Sequence, residues 1–201
     1  MKKRLLKFDI IHPPEFLAQK KSAWKDLHHI SRVEYHNRLI NLRSNYSDFY
    51  TYHLNQTGEW EAEEFFLLDD TYIDKTAQEI LGTGHPLKKI FRGLNLKNLR
   101  FSKRKWRNYV IDCYIKEFDP DVIFVRSQPI PSGFWKKYRN RSLLVSRLSA
   151  RLPFNWHPNH WDVIYTDQPD FKTFFELHSV PTVINDQGFD TRIISEKDRW
   201  S

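Results

Sequence analysis

The second half of the chain alternates short apolar runs with polar turns and Pro-led stretches of helical period. Asp121-Val122-Ile123-Phe124-Val125 is followed by a helical stretch over 129–138 and then by Ser142-Leu143-Leu144-Val145-Ser146. Asp162-Val163-Ile164-Tyr165-Thr166 is followed by another over 169–178 and then by Pro181-Thr182-Val183-Ile184. Near-continuous Val/Ile runs suit strands covered on both faces, and the stretches between them supply the crossovers that a parallel sheet needs. The first half extends the alternation. Residues 4–11 predict a strand, broken by His12-Pro13-Pro14, since proline cannot donate to a ladder. Residues 15–27 and 33–42 have helical period. Ser47-Asp48 offers an N-cap for a helix through Leu54, and Gly58 suits its exit. Residues 62–68 predict the second strand, and 70–81 a helix closed by Gly82 and Gly84. Residues 105–118 predict a long helix with Trp106, Tyr109, Val110, Cys113 and Ile115 turned inward, stopped by Asp119-Pro120.

The expected fold class is therefore α/β: a Rossmann-like, doubly wound, mostly parallel sheet of about six strands flanked by helices. At 201 residues, 40% apolar and 15% aromatic, the chain can build one sizeable core, and a single domain over 1–201 is expected. Lys2, Lys3, Arg4 and Lys7 precede an apolar stretch too short for a signal peptide or a span. Cys113 is the sole cysteine, which fits a reducing compartment and a buried, inert thiol. A cytoplasmic location follows, with a peripheral place at the inner face of the membrane as its extension.

The net charge of +7 is concentrated. A basic insertion at 84–107 carries Lys88, Lys89, Arg92, Lys97, Arg100, Lys103, Arg104, Lys105 and Arg107 with no acidic residue from Pro86 onward, interleaved with Phe91, Phe101 and Trp106. Three readings stand: a solvated helix face, an anionic membrane surface met mainly by Lys88, Lys89, Arg92, Lys103, Arg104, Lys105 and Arg107, or nucleic acid.

In open parallel sheets, ligands bind outside the carboxyl ends of the strands. The residues expected there are His12; Arg126, Ser127 and Gln128; Arg147 and Ser149; Asp167 and Gln168; and Asp186 and Gln187. The ligand-binding set is Arg126, Gln128, Arg147, Asp167, Gln168 and Asp186. No G-x-G-x-x-G and no P-loop occurs, which argues against a dinucleotide enzyme or an ATPase, and no cofactor is expected in this chain. His157-Pro158-Asn159-His160, flanked by Trp156 and Trp161, reads as a loop packed by aromatics, and no metal site is expected.

Phe118-Asp119-Pro120-Asp121-Val122-Ile123-Phe124-Val125, followed by Pro131-Ser132-Gly133-Phe134-Trp135, resembles the N-terminal domain of bacterial GT-B glycosyltransferases of family 1 or 4 type, in particular the group related to spore-maturation CgeB proteins. Asp162-Val163-Ile164-Tyr165-Thr166, Pro169-Asp170-Phe171, Val180-Pro181-Thr182 and the closing Gly188-Phe189-Asp190 add to the likeness, as does the stretch from Ser47 through Phe66. The turn Asn185-Asp186-Gln187-Gly188 departs from that group's apolar-Pro-Leu lead-in. The resemblance implies the acceptor-binding half of an enzyme that moves a sugar from a nucleotide sugar to a saccharide or lipid-linked acceptor. It implies a donor domain elsewhere, on a continuation or a separate partner chain, and a chain inactive alone. His12 and Asp48 are then the candidate catalytic groups, with Asp48 equally an N-cap. Ile193, Ile194 and Trp200 are the expected docking patch for the donor domain, with self-association as its consequence. A non-catalytic protein-binding module and a nucleic-acid binder using 86–107 are the alternatives.

Overall fold

The computed structural model describes residues 1–11, 13–43, 48–82, 99–149, 152–153 and 155–184, with the backbone alone for 99–102. The strands are β1 (Lys3–Asp9), β2 (Trp60–Phe66), β3 (Val122–Val125), β4 (Leu143–Arg147), β5 (Val163–Thr166) and β6 (Thr182–Ile184). The helices are α1 (Pro14–Ala23), α2 (Arg32–Asn41), α3 (Phe49–Gln56), α4 (Asp70–Leu81), α5 (Leu99–Phe118), α6 (Ser132–Lys136) and α7 (Pro169–Leu177), with a 3₁₀ turn at Pro158–His160. The six strands form one all-parallel sheet in the order β2-β1-β3-β4-β5-β6. The fold is α/β and Rossmann-like, as the pattern predicts. The order reverses direction between β1 and β3, the switch point at which doubly wound sheets open a crevice.

The chain divides into two compact units. One comprises Met1–Asp9, Arg43–Phe65 and the described part of Pro120–Ser201; the other comprises Ile10–Leu42 and the described part of Phe66–Asp119. The first unit holds the sheet. Its register pairs Lys7 with Phe124, Phe124 with Val145, and Arg147 with Tyr165. Side chains alternate across a strand, so these residues share one face. Leu6, Phe8, Ile123, Val125, Leu144 and Ile164 share the other, and all are buried. On that apolar face Trp135 of α6 packs against Phe8 with ring centroids 4.7 Å apart, and Phe65 lies 5.3 Å from Phe8 on its other side. Each such buried side chain stabilises by about 1.5–3 kcal/mol. On the opposite face Tyr50 of α3 stands edge-on to Phe124 at 5.5 Å.

The second unit is helical. Ser31 and Glu34 form a reciprocal capping box at the start of α2. Asp69 caps α4 through the backbone N–H groups of Thr71 and Tyr72, and Gly82 at φ 79° ends it, a conformation that costs glycine little. In α5 the buried stripe is Trp106, Val110, Ile111, Tyr114, Ile115 and Phe118. Tyr109 and Cys113, expected inward, are only half-buried, because the 3.6-residue period carries them off the stripe that runs from Trp106 to Phe118. Among the described residues, no helix is long and apolar enough to cross a membrane.

Several boundaries differ from expectation. β1 ends at Asp9 rather than residue 11: Ile10 and Ile11 extend the apolar run but belong to the helical unit. β2 starts and ends two residues early. α1 stops at Ala23, and α6 starts at Ser132 after Pro131 rather than at Pro129. His12, Lys88, Lys89, Arg92, Asp186 and the proposed docking residues Ile193, Ile194 and Trp200 lie outside the described residues.

Candidate functional site

In the first unit the polar face of the sheet carries ionisable residues where apolar packing would be expected. Lys7, Glu64 and Asp9 are almost wholly buried, at 0%, 1% and 2% exposure. The Lys7 ammonium donates to both Glu64 oxygens at 2.9 Å and lies 3.4 Å from Asp9 Oδ2. Thr51 of α3 donates to Glu64 Oε1 at 3.0 Å. The Tyr50 ring lies under the ammonium, 5.6 Å from its centroid. Burial pushes the Glu64 carboxyl up to about 7, and neighbouring Asp9 adds to the rise, against the opposing pull of Lys7 and the hydrogen bonds of Lys7 and Thr51.

Asp9 closes β1 at the switch point and links this buried group to the strand ends. The Arg126 guanidinium donates to both of its oxygens, at 3.0 and 2.9 Å, and the Ser127 hydroxyl donates at 2.6 Å. The Arg126 N–H in turn donates to Phe8 O at 2.9 Å, continuing the β1–β3 ladder one residue past the strand. On the next strand Arg147 pairs with Asp167 at 3.4 Å. The register that sets Val125 beside Ser146 makes Arg126 and Arg147 successive strand-end residues, each paired with a carboxylate. Gln128 donates to the Ser146 hydroxyl and to Val125 O. Above this row the Tyr50 and Tyr165 hydroxyls are 3.3 Å apart with their rings nearly perpendicular. Burial pushes the Tyr50 phenol above its ordinary value, and the Tyr165 hydrogen bond adds to this. Gln128 Oε1 and Ser149 Oγ are buried and meet no partner among the described residues.

The structure therefore brings together Arg126, Gln128, Arg147 and Asp167 of the expected set. Gln168 stands exposed at the start of α7, its N–H on Thr166 Oγ1 at 3.1 Å. Asp48 occupies the N-cap position of α3 but makes no side-chain cap. Its carboxylate accepts from Arg43 at 3.0 Å instead, because the guanidinium outcompetes a neutral N–H. That ion pair holds the Asp48 carboxylate against Arg43 at the start of α3. Lys7, Asp9 and Glu64 were not anticipated. The available signals were a lysine inside Leu5-Leu6-Lys7-Phe8 and a glutamate directly before Phe65-Phe66.

A second polar group lies on the other side of α6. Ser132 Oγ is 2.8 Å from His160 Nδ1, 3.1 Å from Asn155 O, and accepts from the His157 N–H at 3.0 Å. Burial holds the imidazole below its ordinary value, with Lys136, His157 and Arg139 adding repulsion. The pair has the spacing of a nucleophile and its base. Ser132 is 1% exposed, however, and its oxygen is committed to three loop groups, so it acts as a latch holding the 155–160 segment to α6. The buried Trp156 and Trp161 confirm the aromatic-packed loop expected there. Among the described residues, no three His, Cys, Asp or Glu side chains are grouped to hold a metal ion. Ser132→Ala is expected to destabilise the first unit by about 1–3 kcal/mol, because the His157 N–H loses its acceptor. A urea midpoint equal to that of the wild type would show the latch to be unimportant.

The basic stretch is less one-sided in space than in sequence. Lys103 pairs with Asp70 at 3.0 Å, and Arg107 is half-buried, its guanidinium pushed down by burial. Of the described basic residues proposed for an anionic surface, Lys103, Arg104 and Lys105 are exposed.

No family model and no curated protein matches the chain. A solved structure with some similarity is the GH18 chitinase ChiB from the chitin utilization locus of Flavobacterium johnsoniae, at 11% identity and a TM-score of 0.30, over 82% of this chain. The chain spans about half, 53%, of that protein's length. A likeness at this level bears on neither the fold nor the function of this chain.

Proposed function

We propose that the strand-end row of the first unit binds a neutral, polyhydroxylated ligand, and that the chain is the acceptor-binding half of a glycosyltransferase acting on a saccharide or lipid-linked acceptor. The observation that carries this is the balance of the row. Among the described residues, Arg126 and Arg147 at the strand ends are each paired with a carboxylate, Asp9 and Asp167, so the edge is rich in donors and acceptors without an unpaired charge of either sign on these four. A phosphate would want an excess of positive charge or a Gly-rich cradle of N–H groups, and the β1–α1 connection offers no glycine. Sugar hydroxyls both donate and accept, which matches Gln128, Ser149 and Gln168, while the Tyr50 and Tyr165 rings supply flat apolar surface for a pyranose face.

In such an enzyme the nucleotide sugar is held by the other domain, so this chain's part is to hold and orient the acceptor hydroxyl. The purified 201-residue chain is expected to bind an acceptor and to transfer nothing from nucleotide sugars by itself. Screening a panel of oligosaccharides by NMR should give saturable shifts at Gln128, Arg147 and Tyr165. The double variant Gln128→Ala/Gln168→Ala should weaken binding about tenfold or more, roughly the 1.4 kcal/mol expected when two hydrogen-bonding side chains are removed. Tighter binding of a nucleoside diphosphate than of any saccharide, or shifts confined to other surfaces, would overturn the proposal.

A further inference from the structure

The helical unit contains a cavity of about 560 Å³ lined by Ile10, Ile11, Leu17, Ala18, Phe66 and Leu68, with Lys21, Ser22, Asp69 and Asp70 at one pole. That volume lies within the range of small-molecule sites, which pair an apolar lining with a few placed polar groups. The helix beside it is unusual. α1 buries none of its residues, although Leu17, Ala18 and Pro14 fall on the side that lines the cavity. A ten-residue helix is marginal in water and ordinarily owes its stability to an apolar face packed on a core. Leu68 across the cavity is 49% exposed. The apolar surfaces of α1 and of the β2–α4 connection thus face open space rather than each other.

The polar pole defines the head of the occupant. Asp69 is saturated: its Oδ1 accepts from Lys21 at 2.9 Å and from the Thr71 and Tyr72 N–H groups, and its Oδ2 accepts from the Tyr35 hydroxyl at 2.6 Å. Asp70 is 70% exposed at its side chain and paired with Lys103. The Lys21 ammonium, 24% exposed, uses one N–H on Asp69 and one on Thr71 Oγ1 at 2.9 Å. An ammonium has three donors, so one remains beyond these two bonds, with the Tyr35 ring centroid 5.8 Å from the nitrogen. The pole offers a donor and no uncommitted buried acceptor.

We propose that this cavity is a binding site for a single-chain amphiphile with an anionic, hydrogen-bond-accepting head. The chain lies against Leu17, Ala18, Phe66 and Leu68, and a carboxylate takes the third N–H of Lys21. The proposal stands apart from the saccharide reading, because every lining residue belongs to the helical unit.

The test titrates decanoate into the full chain, with decylamine as the control of opposite head charge. Saturable amide shifts should gather at Ile10, Ile11, Leu17, Ala18, Lys21 and Ser22, and decylamine should bind at least about tenfold more weakly. Ala18→Trp fills the cavity from an exposed helix position and should weaken decanoate about tenfold or more with an unchanged circular dichroism spectrum. Ser22→Phe, also exposed, serves the same purpose if the first variant does not fold. Absence of saturable shifts up to millimolar decanoate, equal binding of decylamine, or undiminished affinity in a folded cavity-filling variant would each overturn the proposal. Saccharide binding at Gln128 and Arg147 would be untouched by any of these results.

Discussion

Replacing Lys7 by methionine is expected to destabilise the protein by about 3–5 kcal/mol at pH 8, among the larger effects any single substitution here should have. The ammonium is fully buried and donates directly to Glu64, at 2.9 Å to each oxygen. Methionine nearly matches the stem of lysine in volume, so little cavity term enters. What is lost is the charge that compensates a buried carboxylate. Asp9 is partly protected, since it keeps the two Arg126 bonds and the Ser127 hydroxyl. Glu64 keeps the Thr51 bond, a neutral donor that does not replace the lost charge, so uptake of a proton by its carboxyl becomes more favourable. The destabilisation should therefore shrink toward acid, where Glu64 is protonated anyway. The double variant Lys7→Met/Glu64→Met should recover much of the loss, because removing both charges replaces a costly desolvated pair by apolar contacts. Urea denaturation of the three proteins at pH 5 and pH 8 decides it. A Lys7→Met variant within about 1 kcal/mol of wild type at pH 8 would mean that water reaches this face of the sheet.

The elements that were legible in the sequence are those whose local signals agree with one another. β3 through β6 follow the four apolar runs to within a residue or two, because short runs rich in Val and Ile bounded by polar and proline-bearing turns are a local strand signal. α4 spans the expected residues without error. A capping aspartate opens it and a glycine at positive φ closes it, so its ends are set by chemistry within the segment. Helix ends without such signals moved: α1 stops four residues short of its periodic pattern, and α5 begins six residues before its own. The strand-end rule located Arg126, Gln128, Arg147 and Asp167 because it depends only on which way the strands run, and a parallel sheet places every β-to-α turn on one edge. It could not find Lys7 and Glu64. An ionisable residue inside a strand reads as the solvent-facing half of an alternation, and only the pairing of β1 with β2 makes each the partner of the other, 57 residues apart. The Ser132–His160 contact was hidden for the same reason, since nothing near either residue encodes the turn that joins them.

The same buried pair gives the protein a pH dependence opposite in sign to that of ordinary paired carboxylates. Glu64 is pushed from 4.5 up to about 7 in the folded protein, with burial as the leading cause. Between those values the folded state holds a proton that the unfolded chain releases. The slope of stability with pH follows the protons bound in the unfolded state less those bound in the folded state, and for this group that difference is negative. Its contribution is complete below about pH 4.5 and is lost as pH rises through 7. The interval corresponds to about 3 kcal/mol. Among the described residues, the groups facing Glu64 include Lys7 and Asp9 from β1 and Thr51 from α3, with Tyr50 beneath Lys7 and Arg126 acting through Asp9. Glu64→Gln keeps the shape and cannot titrate, so subtracting its unfolding free energy from that of wild type isolates the group. That difference is expected to fall by about 3 kcal/mol from pH 4 to pH 8, with its steepest part near pH 6. A flat difference would mean that Lys7 offsets the burial of Glu64 completely. A difference rising with pH would mean that Lys7 and Thr51 stabilise the buried carboxylate by more than its desolvation costs, and would overturn the predicted sign.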